Sequence, residues 1–252
     1  MNNILLGLIG FGIIFLSVAL MWGLAALRRK SPPAFREIPA FTRLRQAVGR
    51  VVEDGTRLHV SLGRGALITS QSASAMAGLT LLRRLAELTS AGDKPPIATS
   101  GDAALTILSQ DTLKTASQAS SQGVYDPAAG RLTGLTPFSY AAGAIPTIRD
   151  ENISANVLMG NFGVEAALLA DAAERANIFT LAASDNLATQ AVLYASAQEP
   201  LIGEELYAAG AYMDAGPVHA ASLTVQDILR WLIIIAILVG ALVQLLRAVG
   251  IL

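Results

Sequence analysis

Cysteine is absent from the 252 residues, and histidine occurs only twice, at His59 and His219. No disulfide can form, nothing relies on an oxidising compartment, and no spacing of zinc ligands exists. The G-x-S-x-G elbow of serine hydrolases and the Walker phosphate loop are also missing. Charged residues make up 15% of the chain, against roughly a quarter in ordinary soluble domains. Aromatic residues are 6%, so no stacking platform for nucleic-acid bases accompanies the basic residues. With no metal set, no nucleophile and no cofactor motif, no cofactor is expected, an enzyme is the less favoured class, and nucleic acid is not an expected partner. Adjacent acids at Asp150-Glu151 read as solvated loop residues, and His59, inside a predicted strand, as a structural histidine.

What the chain has in excess is apolar length, at 53% hydrophobic residues. Ile4 to Leu27 is an uncharged run, long enough at about 1.5 Å per residue to cross a hydrocarbon core of roughly 30 Å. No Lys or Arg precedes it, it exceeds the length of a signal-peptide core, and no small-x-small cleavage site follows, so it reads as an uncleaved anchor. A second run, Trp231 to Leu246, lies between Arg230 and Arg247, whose side chains can snorkel to the interfaces. The expected division is a transmembrane helix at 4–27, a basic, proline-rich linker at 28–40, an α/β domain at 41–222 and a second transmembrane helix at 228–249.

Charge sets an expected orientation. Arg28, Arg29, Lys30 and Arg36 follow the first span, and the flanks of the second nearly cancel. The positive-inside rule then places the middle domain in the cytoplasm and both chain ends across the inner membrane. Those four residues are expected to meet anionic lipid headgroups. From Arg28 to Arg50 there are seven basic residues and one acid, against 18 basic and 19 acidic residues in the whole chain. The body beyond this neck is therefore acidic.

Within the domain, "SPPAFREIP" is a stiff non-helical linker and Phe41 to Glu53 has helical periodicity. Strand-like runs ending in small polar residues and glycine then alternate with helical stretches: "LHVSLGRG" before Ser70 to Thr89, "PPIATSGD" before Ala103 to Gln118, "ANVLMGNFG" before Val164 to Ala176, and "IFTLAASDN" before Leu187 to Ala197. This grammar predicts an α/β fold, a mostly parallel sheet with helices on both faces in a Rossmann-like three-layer arrangement. The runs are apolar on both faces, as doubly covered strands should be. The segment 122–153 reads as an irregular loop with a short hairpin or helix, Glu199 to Met213 as a final helix, Asp214 to Ser222 as a connector, and Thr224 as a cap of the second span.

The stretch "HVSLGRGAL" looks most like chemistry. Gly63 and Gly65 follow a strand, but position 68 is Ile where a dinucleotide fingerprint needs its third glycine, and Glu87 falls in a helix. A strand-to-helix turn needing glycine's positive φ explains the pair better. Parallel sheets bind ligands at the carboxyl ends of their strands. Four loops on that edge offer a candidate ligand set: Ser61, Gly63, Arg64 and Gly65; Ser100, Gly101 and Asp102 beside Thr99; Asn161; and Ser184, Asp185 and Asn186. Arg64 would meet a small anionic ligand, with helix N-termini adding N–H donors. The competing reading is that Ser, Asp, Asn and Gly here are helix caps and tight turns. In the spans, Ala19 with Gly23 and Ala236 with Gly240 could bring helices close, and Gln244 could bond across a pair.

The blocks "REIPAFTRLRQAVG", "EDGTRLHVSLGRGAL", "DKPPIATSGDAAL", "LTGLTPFSYAAGA", "SAQEPLIGEELYAAGAY" and "AASLTVQDILRW" resemble those of an uncharacterised bacterial membrane family, a domain of unknown function, from about Arg36 to Trp231. The resemblance implies membrane anchoring and assigns no catalytic residue. Together these features point to a double-anchored protein acting as a structural or assembly component that self-associates. The alternative is a domain that senses a small anionic or nucleotide-like ligand through the strand-end loops.

Overall fold

In a computed structural model of the protein, residues 2–27, 35–69, 72–90, 92–119 and 125–248 are described. The chain forms two compact units, Met1–Phe35 with Gly216–Leu252, and Arg36–Ala215.

The second unit holds the sheet. Its elements are α2 (Pro39–Glu53), β1 (Arg57–Gly63), α3 (Ser72–Thr89), β2 (Ile97–Ser100), α4 (Ala103–Ala119), β3 (Gly130–Leu132), α5 (Pro137–Asp150), β4 (Ile153–Asn161), α6 (Ala166–Arg175), β5 (Phe179–Ser184), α7 (Leu187–Ser196), β6 (Glu199–Leu201) and α8 (Glu205–Tyr212). The six strands pair in the order β3-β2-β1-β4-β5-β6, every pairing parallel. The chain moves outward from β1 to β3, returns through α5, and moves outward again from β4 to β6. Crossovers of one hand then place the helices of the two halves on opposite faces.

Strand alternation divides the core the same way. Leu58, Val60 and Leu62 of β1 join Val157 and Met159 of β4 beneath α2, α3, α4 and α8. Leu158, Phe162 and Ala182 face α5, α6 and α7 on the other side. The predicted three-layer α/β fold is therefore what the chain forms.

Three segments differ from their sequence reading. Residues 122–153 contain a strand and a 14-residue helix, α5, closing a full β-α-β crossover. Pro137 begins that helix, and Thr136 caps it reciprocally with Ser139, a start signal that the internal Pro146 masked. Glu199 to Met213 is not one helix, because Glu199–Leu201 pairs with β5 as an edge strand, where Pro200 is tolerated. The compact unit also ends at Ala215, and α9 (Pro217–Ala248) begins two residues later. Pro217 supplies the fixed φ that suits a first helical position. Thr224 lies inside that helix, its hydroxyl on Ala220 O, and is not a cap.

In the first unit, α1 (Asn2–Leu27) and α9 pack against each other. Gly7–Ala26 and Pro217–Ala248 are long and apolar enough to cross a membrane, with no part of their most apolar windows buried. A Cβ at Gly7, Gly10, Gly12, Gly23 or Gly240 would meet nothing within 4 Å. The α1–α9 contact is thus not built through these glycines.

Candidate functional site

The strand order reverses between β1 and β4, and in open α/β sheets ligands bind at that point, beyond the carboxyl ends of the strands. The structure brings the four predicted loops together there. Arg64 N donates to Asn161 O at 2.8 Å, and Gly101 N donates to Gly63 O at 2.8 Å. Asn161 Nδ2 donates to Asp185 Oδ1 at 2.7 Å.

At this point described residues bond one another. Gly63 has φ of +72°, as a tight turn requires, and a Cβ there would overlap Asn161 O. Cβ atoms at Gly160 and Gly78 would overlap Leu62 O and Met159 O. The glycines let β1, β4 and α3 approach closely. Gly65 is buried in the turn that follows.

Arg64 donates from Nε to Glu165 Oε1 at 3.0 Å. Its side chain is 24% exposed, against 1% for that of Glu165. Gly163 N also donates to Glu165 Oε1 at 3.0 Å, and the Arg64 methylenes lie where a Cβ of Gly101 would be. Asp185 accepts from Ser74 Oγ, in the first turn of α3, at 2.8 Å. A helix N-terminus attracts anions, and here an internal carboxylate takes that place.

The remaining candidates hold turns and caps. Asp102 Oδ1 accepts from Leu105 N at the start of α4, and Asn186 Oδ1 accepts from Ala188 and Thr189 N–H groups at the start of α7. Ser184 Oγ accepts from Phe162 N and Asn186 N. Ser100 Oγ donates to Asp102 O at 3.2 Å. Of the four headgroup candidates, Arg28, Arg29 and Lys30 lie outside the described residues. Arg36 is exposed and pairs with Glu205 at 2.7 Å.

Ser61 belongs to a second, deeper constellation. His59 Nδ1 lies 2.7 Å from Asn156 Oδ1, and Nε2 lies 2.9 Å from Thr99 Oγ1. Tyr140 of α5 bonds Ser61 and accepts from Gly63 N at 3.3 Å. One direction of donation suits each half: Gly63 and Ser61 donate to the Tyr140 oxygen, and Thr99 donates to His59, which donates to Asn156. Asn156 Nδ2 is buried without a partner. Burial pushes the His59 imidazolium down to about 4, the bond to Asn156 opposing and Arg131 reinforcing, so the ring is neutral at pH 7. Burial likewise raises Tyr140, against its bond to Ser61. The cluster ties α5 to β1, β2 and β4 in one register.

Sequence reasoning missed Glu165, Ser74, Tyr140, Thr99 as a His59 partner, and Asn156. Glu165 carried one signal, an acid just past the glycine-rich end of β4 and opposite the only predicted cation of that edge. Among the described residues, no three His, Asp or Glu side chains group to hold a metal ion.

The fold and the site define a class: a parallel α/β domain in the 3-2-1-4-5-6 strand order, flanked in sequence by two apolar helices, with Arg64 and Asp185 at its switch point bonded within the chain. The chain belongs to the family described as Domain of unknown function (DUF6754), which matches residues 3–251. Comparison with curated proteins and with solved structures gives no match.

Proposed function

We propose that the protein is a double-anchored membrane component that works by self-association, its α/β domain cytoplasmic and both chain ends on the far side of the inner membrane. The observation that supports this reading is that the polar side chains at the switch point have partners within the chain. Where this strand order commonly holds a ligand, Arg64 is engaged by Glu165 and Asp185 by Asn161 and Ser74. The domain then acts as a rigid body whose surface, rather than a cleft, does the work. The basic neck Arg28, Arg29, Lys30 and Arg36 supports the orientation and contact with anionic headgroups.

Mass photometry of the chain in lipid nanodiscs formed directly from membranes tests the reading. Particles holding two or more copies are expected, and single copies at every concentration would overturn it. A second reading, a small anionic ligand, rests on the fact that Arg64 uses Nε for Glu165 and keeps 24% of its side chain exposed. Inorganic phosphate and nucleoside phosphates that raise the melting temperature of the wild type, but not of Arg64→Lys, would favour that reading instead.

A further inference from the structure

Helix α7 has no charged residue, and none occurs from Asn186 to Gln198. Its inner face is spent on the fold: Thr189, Gln190 and Leu193 are buried, Thr189 donating to Phe162 O and Gln190 to Ser184 O. Its outer face is Leu187, Ala188, Ala191, Tyr194 and Ala195, all exposed, Leu187 at 80% and Tyr194 at 70%. Exposed Val164, two residues before α6, and Leu168, in its first turn, are also apolar. Single apolar residues on a surface need no explanation, but a contiguous patch does, and a water-facing helix normally carries charge on its outer side.

Two occupants can be compared. An interfacial helix lying on a bilayer presents Lys and Arg beside its apolar face. Helix α7 has neither, so it lacks the cations that hold such a helix on an anionic leaflet. A second copy fits the pattern of sizes. Ala191 lies four residues from both Leu187 and Ala195, and three from both Ala188 and Tyr194. Antiparallel pairing about a two-fold axis at Ala191 therefore lays Leu187 of one copy on Ala195 of the other, and Tyr194 on Ala188. Each large side chain meets a small one, as an isologous contact between identical surfaces requires. Leu187, Tyr194, Val164 and Leu168 are 80%, 70%, 56% and 43% exposed, an apolar area on the order of several hundred Å² per copy, against the approximately 800 Å² that each partner gives to a standard interface.

We propose that the charge-free face of α7 is the contact between two copies of this chain, paired antiparallel about Ala191. The proposal rests on the self-association reading above and names its surface. Because the protein has no cysteine, Ala191→Cys supplies the only thiol, and it lies on the proposed axis. Mild oxidation of the full-length chain in its own membranes should convert most of this variant to a disulfide dimer. Asp111→Cys, exposed on α4, should stay monomeric. Leu187→Glu with Tyr194→Glu should weaken the dimer at least tenfold in detergent, with an unchanged circular-dichroism melt showing that the fold survives. If Ala191→Cys fails to cross-link while lysine-reactive reagents still trap multimers, the α7 contact is wrong and self-association stands. If nothing traps a multimer, both are wrong. Equal cross-linking at Asp111, or photo-cross-linking from position 191 to lipid instead of protein, also overturns the α7 contact.

Discussion

Arg64 and Glu165 show how one pair can settle what a motif means. The guanidinium is a quarter exposed, while the carboxylate is buried, so the two ends of the pair are not equal. Removing a partner from a buried pair costs about 3–5 kcal/mol, and solvent access to Arg64 reduces that. Glu165→Ala, which leaves a cation that can turn to water, should cost about 2 kcal/mol in denaturant unfolding of the detergent-solubilised chain. Arg64→Ala strands the buried carboxylate and should cost at least as much. Equal stability of wild type and both variants would mean that the pair does not form. His59 makes a second residue-scale prediction. Its folded value of about 4 lies below the ordinary 6.5, so the folded state binds fewer protons than the unfolded one. The stability it contributes is complete above pH 6.5 and is lost as pH falls from 6.5 to 4. At 1.4 kcal/mol per unit, that loss is roughly 3 kcal/mol. The unfolding free energy of His59→Gln should fall less steeply than that of wild type across this window, and parallel pH profiles would exclude the buried imidazole as the cause.

At the scale of elements, the same substitution should act with opposite sign in two helices. Gly49 sits on the exposed side of α2 with nothing within 4 Å of an added Cβ, while a Cβ at Gly78 in α3 would overlap Met159 O of β4. Helix propensity favours alanine by about 1 kcal/mol at either site. Gly49→Ala should therefore stabilise by up to about 1 kcal/mol. At Gly78 the overlap wins, since α3 must lift from the sheet, and overpacking costs about 1–3 kcal/mol. Thermal melts of the two variants should move in opposite directions, and a stabilised Gly78→Ala would show that α3 does not lie against β4 as described. This contact also marks what the sequence could reveal. Alternating apolar runs and helical stripes gave away β1, β2, β4, β5 and the helices after them, because strands buried on both faces have a plain pattern. Helix α5 hid behind Pro137, Gly143 and Pro146, and β6 is only three residues long with a proline in it. Strand order was not legible, since it depends on pairings between residues far apart in sequence. The four loops of the candidate site followed from the grammar, but their partners Ser74 and Tyr140 come from helices whose facing sides only the packed sheet defines, and Glu165 from the residue just before α6.

For the whole molecule, the arginines near the start of the domain have a job besides charge. Arg43 pairs with Glu199, Arg45 with Asp214 and Arg36 with Glu205, while Phe41 stacks on Tyr212 at 5.0 Å. The Tyr212 hydroxyl donates to Arg36 O. The residues where the domain begins and ends are thus fastened to each other, as a chain tethered at both ends requires if its fold is not to be pulled open. Exposed pairs of this kind are each worth under about 1 kcal/mol, so the fastening rests mainly on the buried Phe41 face and is not undone by one lost arginine. The proposed orientation is a separate matter, argued from the positive residues after the first apolar helix. The absence of cysteine makes it readable. Asn3→Cys, ahead of the first span, should react with a membrane-impermeant maleimide in intact cells. Asp111→Cys, in the domain, should react only after the membrane is opened. Replacing Arg28, Arg29 and Lys30 with serine while placing lysines at Asn2 and Asn3 should exchange those accessibilities for at least part of the population, with the labelled position moved to Ile4. Labelling of Asp111→Cys in intact cells, before any charge is moved, would put the domain on the opposite side and remove the cytoplasmic reading with it.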